Sequence, residues 1–220
     1  MNGGERILRL TVSGPPGSGT STLVAKLCED RGWSSVNGGD IFREEASNRG
    51  LNVVEFSALC KQDLEVDRSL DTIVRSAMSD PEGPEVVESR LCGWWAQELG
   101  LQCPRVWVSV SDEERARRIQ NREGGDYRTC LELSKKRQSD DMDRYRELYG
   151  IDLDDMSPYT LVVDADELDA NEVFGVVSTA LEYVAEWAKV TSGKSPKLPR
   201  ILDSDAFLVS ARLMNCYRQV

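Results

Sequence analysis

A glycine-rich segment near the start of the chain has residue types and spacing suited to binding phosphate. Residues 14–21 read GPPGSGTS and fit the pattern G-x-x-x-x-G-K-[ST], except that Thr20 stands at the lysine position. Glycines let a backbone curl so that its N–H groups point at phosphate oxygens, and the helix that follows directs its positive end there too. Ser21 supplies the hydroxyl that Mg²⁺ needs, whereas Thr20 brings no charge to the β- and γ-phosphates. The segment therefore predicts a nucleotide site that takes a cation from elsewhere in the chain.

The alternative is a turn rich in glycine and proline that joins a strand to a helix without binding anything. An apolar run at 7–13 precedes the segment, and an amphipathic helical pattern follows it as far as Arg31 and Gly32. This position inside an alternating strand and helix pattern favours nucleotide binding.

Arginine is concentrated in a second segment of an otherwise acidic chain. Residues 112–147 hold ten of the 27 basic residues, while the whole chain has 38 acidic residues and a formal charge of −11. Helical spacing puts Arg118 and Arg122 on one face, and Arg137 and Arg144 on one face of the next helix. A solvated helix pair with internal ion pairs is the alternative. With the glycine loop present, and with REGGD (122–126) as a hinge, the pattern favours a lid that brings arginines to bound phosphates. Three further arginines are expected at the surface: Arg115, Arg117 and Arg146.

The composition excludes several kinds of chemistry. The chain has no histidine, so Ser-His-Asp hydrolysis, Cys-His catalysis and zinc sites built on histidine are impossible. Its six cysteines form no C-x-x-C pair and are expected to be reduced and buried. The acidic balance argues against nucleic acid or an anionic membrane as the main partner. Since we find neither a spanning apolar run nor a signal peptide, we expect a cytoplasmic protein.

Five short apolar runs alternate with helical patterns along the chain. This alternation predicts an α/β fold with a parallel sheet covered by helices on both faces. The predicted strands are 7–13, 33–37, 86–89, 106–110 and 160–164. The predicted helices after the first are pieces of 40–78, then 92–99, 112–122, 129–149 and 169–189.

Six segments along the chain together carry a resemblance to a known family. They are GPPGSGTST (14–22), GGDIFRE (38–44), EVDRSLD (65–71), VVESRLCGWW (86–95), RIQNREG (118–124) and RQSDDMDRYRELYGIDLDDMSPYTLVV (137–163). In this order they resemble the nucleoside monophosphate kinases, most closely the archaeal-type (type 2) cytidylate kinases. The resemblance covers about residues 7–188, and its most specific part is the YRELYGID core of the last segment.

The resemblance implies a three-layer α/β/α P-loop kinase fold with a five-stranded parallel sheet. The kinase domain would span residues 1–190, with a helical insert for the nucleoside monophosphate (NMP) at about 40–79 and a helical lid at about 122–147. Residues 191–220 would form a linker and a short tail of unknown role. The implied reaction transfers the γ-phosphate of ATP to CMP or dCMP, with Mg²⁺ as cofactor, in a cytoplasmic monomer.

Site residues follow from the same resemblance. The ATP-binding residues would be Gly14, Pro15, Pro16, Gly17, Ser18, Gly19, Thr20, Ser21 and Thr22. The NMP-binding residues would be Asp40, Arg43, Arg68, Asp71, Arg90 and Gly93. The catalytic lid arginines would be Arg118, Arg122, Arg137 and Arg144. Magnesium would be held by Ser21 and, through water, by Glu88.

Two other functions remain open at this point. An adenylate kinase or another NMP kinase would share the loop, the lid and the acceptor arginines, and we find no counterpart of the insert by which bacterial cytidylate kinases read cytosine. A nucleotide-binding regulator that lost phosphate transfer along with the lysine is the alternative outside the enzymes.

Overall fold

The structure is a computed structural model that describes residues 8–190, except for the side chains of residues 54, 61 and 186–190. Five parallel strands form one sheet in the order β2-β3-β1-β4-β5. The strands are β1 Leu10–Ser13, β2 Ser35–Asn37, β3 Val86–Glu88, β4 Arg105–Ser109 and β5 Leu161–Asp164. The helices are α1 Thr20–Arg31, α2 Gly38–Asn48, α3 Val53–Gln62, α4 Leu64–Ser79, α5 Cys92–Glu98, α6 Asp112–Glu123, α7 Tyr127–Tyr149 and α8 Ala170–Val190.

Helices cover both faces of this sheet, so the predicted three-layer α/β/α fold is confirmed. On one face, strand residues such as Val12 pack against Leu27 of α1 and Val177 of α8. On the other face, Val87 packs with Trp95 of α5 and with residues of α4 and α7. Because neighbouring residues of a strand point to opposite faces, each short apolar run serves both cores.

Most element boundaries differ from the predicted ones by one to three residues. Helix α2 begins at Gly38, because the Asn37 side chain accepts hydrogen bonds from the backbone N–H groups of Gly39 and Asp40. Helix α7 begins at Tyr127, where Asp126 provides the cap. The predicted helical pieces of 40–78 are three helices, α2, α3 and α4. The predicted linker and tail at 191–220, the start of the first predicted strand at residue 7 and the sixth cysteine, Cys216, lie outside the described residues.

Two further expectations concern cysteines and membranes. Cys28, Cys60, Cys92, Cys103 and Cys130 are free thiols, and all but Cys28 are buried. In the described part of the chain, no helix combines the length and the apolar character needed to cross a membrane.

Candidate active site

The glycine-rich segment forms the loop between β1, the central strand, and α1. Gly17 has a φ of 85° and Gly19 a φ of 89°, values that residues with a side chain rarely adopt. Gly19 is the N-cap of α1, no side chain caps the helix in the described structure, and Thr20 to Thr22 form its first turn. The first N–H groups of a helix have no partner inside it, so those of α1 are available to an anion.

Gly14 is required for a different reason, which is space. A Cβ atom at this position would lie 2.5 Å from Ser18 Oγ and 2.8 Å from the Val108 carbonyl oxygen. Ser18 itself is buried inside the loop. The loop therefore closes on itself and on β4, and any side chain at residue 14 would open it.

Three arginines, one in the turn after β3 and two on α6, donate hydrogen bonds to alternate carbonyl oxygens of the loop. Arg90 donates to Gly14, Arg115 to Pro16 at 3.1 Å, and Arg118 to Ser18 at 3.1 Å. These bonds occupy carbonyl oxygens of the loop and none of its N–H groups, which are the groups predicted to bind phosphate.

Among the predicted lid arginines, Arg118 contacts the loop next to position 20, where threonine stands in place of lysine. Its guanidinium Nη1 would lie 3.8 Å from a Cβ atom at Gly19. Glu114 accepts from its Nε at 3.0 Å, and the backbone oxygens of Ala165 and Leu168 accept from its Nη2. A guanidinium group thus lies next to Thr20, and three acceptors outside the loop hold it there.

The prediction that Arg115 lies at the surface is wrong, because its side chain is 2% exposed. It lies on the inner face of α6 with Ala116, which is also buried, and Ile119, which contacts the loop at Gly17. The i, i+4 spacing of Arg115 and Ile119 was the signal that this arginine faces inward. By contrast, Arg117 is exposed and pairs with Glu114, as expected.

A hydroxyl and a carboxylate meet where β2, β3 and α1 come together. Ser21 Oγ donates to Glu88 Oε1 at 2.8 Å, and Asn37 Nδ2 donates to Glu88 Oε2 at 2.7 Å. Glu88 is 7% exposed. Hydroxyl and carboxylate oxygens suit Mg²⁺, which is usually bound by one or two protein groups together with phosphates and water. Among the described residues there is no cluster of three or more metal-ligating groups.

A buried chain of ion pairs runs from α4 to the loop. Arg144 Nε lies 2.8 Å from Asp67 Oδ2, and Arg144 Nη2 lies 3.0 Å from Asp141 Oδ1. Arg90 Nη2 lies 2.9 Å from Asp141 Oδ2, and Arg90 also holds the Gly14 carbonyl oxygen. Burial raises the pKa of Asp67, while Arg144 opposes that rise. The predicted residues Arg90 and Arg144 are thus brought together by Asp141, and Arg144 also pairs with Asp67. The sequence analysis singled out neither acid.

Arg137 lies one helical turn before Asp141 on α7. Burial lowers the pKa of its guanidinium, and the charge of Asp141 partly offsets that effect. Arg90, Arg137 and Arg144 thus form one cluster around Asp141, in which Arg137 is the exposed member.

Asp71 is the only one of the predicted NMP-binding residues on α2 and α4 that contacts α7 in the described structure. Tyr149, the last residue of α7, donates its hydroxyl to Asp71 Oδ2 at 2.7 Å. Burial raises the pKa of Asp71 to about 6, against the lowering effect of the Tyr149 hydrogen bond. The insert is thus joined to the end of α7, just beyond the predicted lid, at this pair of residues.

Other predicted residues lie away from this group. Asp40 and Arg43 are exposed and pair with each other at 2.5 Å. Arg68 pairs with Glu65 and is 47% exposed at its side chain. Arg122 is exposed and pairs with Glu123. Gly93 lies in α5, where an added Cβ atom would overlap the ring of Tyr159.

Comparison with known proteins agrees with this geometry. Residues 13–131 match a family model described as an AAA domain. Cytidylate kinase from Archaeoglobus fulgidus is 34% identical over 80% of this chain and 95% of its own length. The corresponding values are 38%, 80% and 90% for cytidylate kinase from Natronomonas pharaonis, and 36%, 79% and 97% for that from Methanocaldococcus jannaschii.

Solved structures support the fold alone. An uncharacterised protein from Eubacterium ventriosum superposes with a TM-score of 0.60 at 13% identity, over 80% of this chain and 98% of that one. A gluconokinase from Sinorhizobium meliloti superposes with a TM-score of 0.50 at 16% identity, over 86% of this chain and 99% of that one.

Proposed function

The chain belongs to the archaeal-type cytidylate kinases, and from this premise we propose that it transfers the γ-phosphate of ATP to CMP and to dCMP, giving ADP and CDP or dCDP. One observation carries the assignment: relatives named cytidylate kinase are 34–38% identical over about 80% of the chain. The share of the chain that they match is large enough to include the glycine loop, the acceptor segment and most of the arginines.

The donor side consists of the loop and the start of α1. The free N–H groups of the first turn of α1 bind the β- and γ-phosphates of ATP, with the helix dipole adding to the attraction. Arg118 supplies the positive charge that Thr20 lacks, because its guanidinium lies beside Gly19. Arg122 joins it when the lid closes.

The acceptor side needs cations and no general base. The attacking group is a phosphate oxygen of CMP, whose second pKa is about 6, so it is already anionic at neutral pH. Catalysis is therefore the alignment of two anionic nucleotides and the spreading of charge over amides and guanidinium groups. A chain without histidine is suited to this task. Arg43 and Arg90 hold the acceptor phosphate, and Arg137 and Arg144 contact the transferring group.

Ser21 and Glu88 are the residues that would hold Mg²⁺, the latter through water. When bound, the ion neutralises charge on the phosphates. The Ser21 hydroxyl donates to Glu88, and Asn37 keeps the carboxylate oriented towards it. Both groups are thus held at the start of α1, next to the loop.

Closure brings the exposed arginines inward. The insert at about 40–79 carries Arg43, and the lid at about 122–147 begins at Gly124 and Gly125, whose φ angles of 78° and 94° suit a hinge. Closing both segments shields the phosphates from water, which would otherwise compete with CMP for the γ-phosphate. Small-angle scattering with and without a bisubstrate analogue tests this motion, since an unchanged profile contradicts it.

The deciding experiment is a panel of acceptors at equal concentration. CMP and dCMP should be phosphorylated by ATP faster than UMP and AMP in an assay coupled to ADP release. A preference for AMP or UMP would assign another NMP kinase. ATP binding by calorimetry without any product would instead assign a regulator.

The physiological setting is part of the proposal. The free cysteines suit a reducing compartment such as the cytoplasm. A formal charge of −11 disfavours nucleic acid and anionic membranes as partners. We expect a monomer, and light scattering during gel filtration tests this directly.

A further inference from the structure

Arg115 contacts three separate segments from a buried position. Its Nη1 donates to the Pro16 carbonyl oxygen of the loop at 3.1 Å and to Ser134 Oγ of α7 at 3.2 Å, and its Nη2 pairs with Asp112 at the start of α6. Charged side chains are almost never fully buried unless they are paired, and a buried charge is costly when a partner is removed. These three partners therefore fix the position of the buried Arg115 side chain.

The loop borders a cleft on the side of α6 and α7. The cleft has a volume of about 340 Å³ and is lined by Pro15, Trp107, Gln138 and Arg115 among others. The contacts from α6 are the Ile119 side chain against Gly17 and the hydrogen bonds from Arg115 to Pro16 and from Arg118 to Ser18. Because a cleft adjoins the loop here, the position of the loop on this side depends on these few contacts.

The structure assigns Arg115 the role of a positioning residue for phosphate transfer, an inference that rests on the proposed function. One guanidinium nitrogen donates to both the loop and α7, so the loop that binds ATP is held at a fixed distance from the helix that carries Arg137 and Arg144. Arg115 does not reach the phosphates itself. It acts through the Pro16 carbonyl oxygen and through Ser134.

Loss of this role should change ATP affinity, the KM for CMP and kcat in a pattern that differs from the effect of a general loss of stability. Loss of the Pro16 contact loosens the ATP loop, whereas the acceptor segment on α2 has no contact with Arg115 among the described residues. The affinity for ATP should therefore fall while the KM for CMP stays the same. Loss of the Ser134 contact alone should leave ATP affinity intact and lower kcat, since only the spacing between the loop and α7 is released.

The test compares Arg115→Met and Arg115→Lys with the control Arg117→Met, which removes an exposed arginine two residues away on the same helix. We expect Arg115→Met to raise the Kd for ATP tenfold or more, in line with the loss of a charged hydrogen bond. Arg115→Lys should restore part of that affinity, and Arg117→Met should stay within twofold of the wild type. Calorimetry gives the Kd, and steady-state assays give kcat and both KM values.

Ser134→Ala tests the link to α7 without burying or exposing a charge. A fivefold or greater fall in kcat at unchanged ATP affinity supports the inference, and an unchanged kcat overturns it, including in the case where Arg115→Met fails to fold. Equal losses for ATP and CMP in a folded Arg115→Met, or behaviour like that of Arg117→Met, also overturn it. If the wild type phosphorylates no NMP, the proposed function fails, and the ATP affinities alone decide the role of Arg115 at the loop.

Discussion

Replacing Asp71 by asparagine should stabilise the protein at neutral pH and leave it unchanged near pH 4. Asp71 lies on α4 and accepts a hydrogen bond from the Tyr149 hydroxyl at 2.7 Å. Burial raises its pKa to about 6, well above the usual value near 4 for aspartate. Asparagine keeps the size of the side chain and an oxygen that can accept the same hydrogen bond, but it has no charge to bury.

The sign follows from where each state loses its proton. The unfolded chain releases the Asp71 proton near pH 4 and the folded chain near pH 6. Between these values the unfolded state binds fewer protons, so stability falls as the pH rises through this window and stays lower above it. A pKa rise of about 2 corresponds to about 3 kcal/mol, and we expect Asp71→Asn to recover about 1–3 kcal/mol at pH 8.

Urea unfolding at pH 4, 6 and 8 measures this gain. Asp143→Asn is the matched control, because Asp143 lies on α7 with a side chain that is 76% exposed. The gain for Asp71→Asn should grow from near zero at pH 4 to its full value above pH 6, while the control stays flat. A gain of the same size at every pH, or a loss at pH 8, would refute the argument from the buried carboxylate.

Three further predictions concern the phosphate site. Arg43→Ala and Arg137→Ala should each lower kcat about a hundredfold in the coupled assay, as expected for the loss of a preorganised charge donor. Near-normal rates in both variants would contradict the proposed mechanism. Glu88→Gln should weaken ATP binding about tenfold with Mg²⁺ and hardly at all in EDTA; equal losses in the two buffers would contradict a metal role. Gly14→Ala should abolish measurable ATP binding, since the added methyl group would lie 2.5 Å from Ser18 Oγ, and calorimetry with wild-type affinity would disprove this.

The sheet and the loop could be predicted because their signals are local. Four of the five strands are short runs rich in valine or leucine, and their alternation with amphipathic helical patterns indicates strands of a parallel sheet. The glycine loop has a positive φ at Gly17 and Gly19, and glycine is the residue type that adopts such an angle most readily. Boundaries were less accurate, because caps such as the Asn37 side chain extend a helix beyond its apolar pattern.

The contacts between elements could not be predicted from local sequence patterns. Asp67 and Asp141 look like ordinary acids of mixed-charge helices, and only the packing of α4 against α7 shows that both neutralise Arg144. The expectation for Arg115 failed for the same reason. A charged residue among charged neighbours predicts a surface position, and its burial depends on Ser134 and Pro16, which are far from it in the sequence.

The use of arginine explains how the loop tolerates threonine at position 20. A lysine in this position is a single point charge, whereas a guanidinium has five N–H donors in a plane and can bind several oxygens at once. The arginines that touch the loop use this property: Arg115 also donates to Ser134 on α7, and Arg118 also donates to Glu114 on its own helix. Their charge is therefore brought next to the proposed phosphate position while the N–H groups of the first turn of α1 stay available, so the surrounding arginines supply the positive charge that a lysine would otherwise bring.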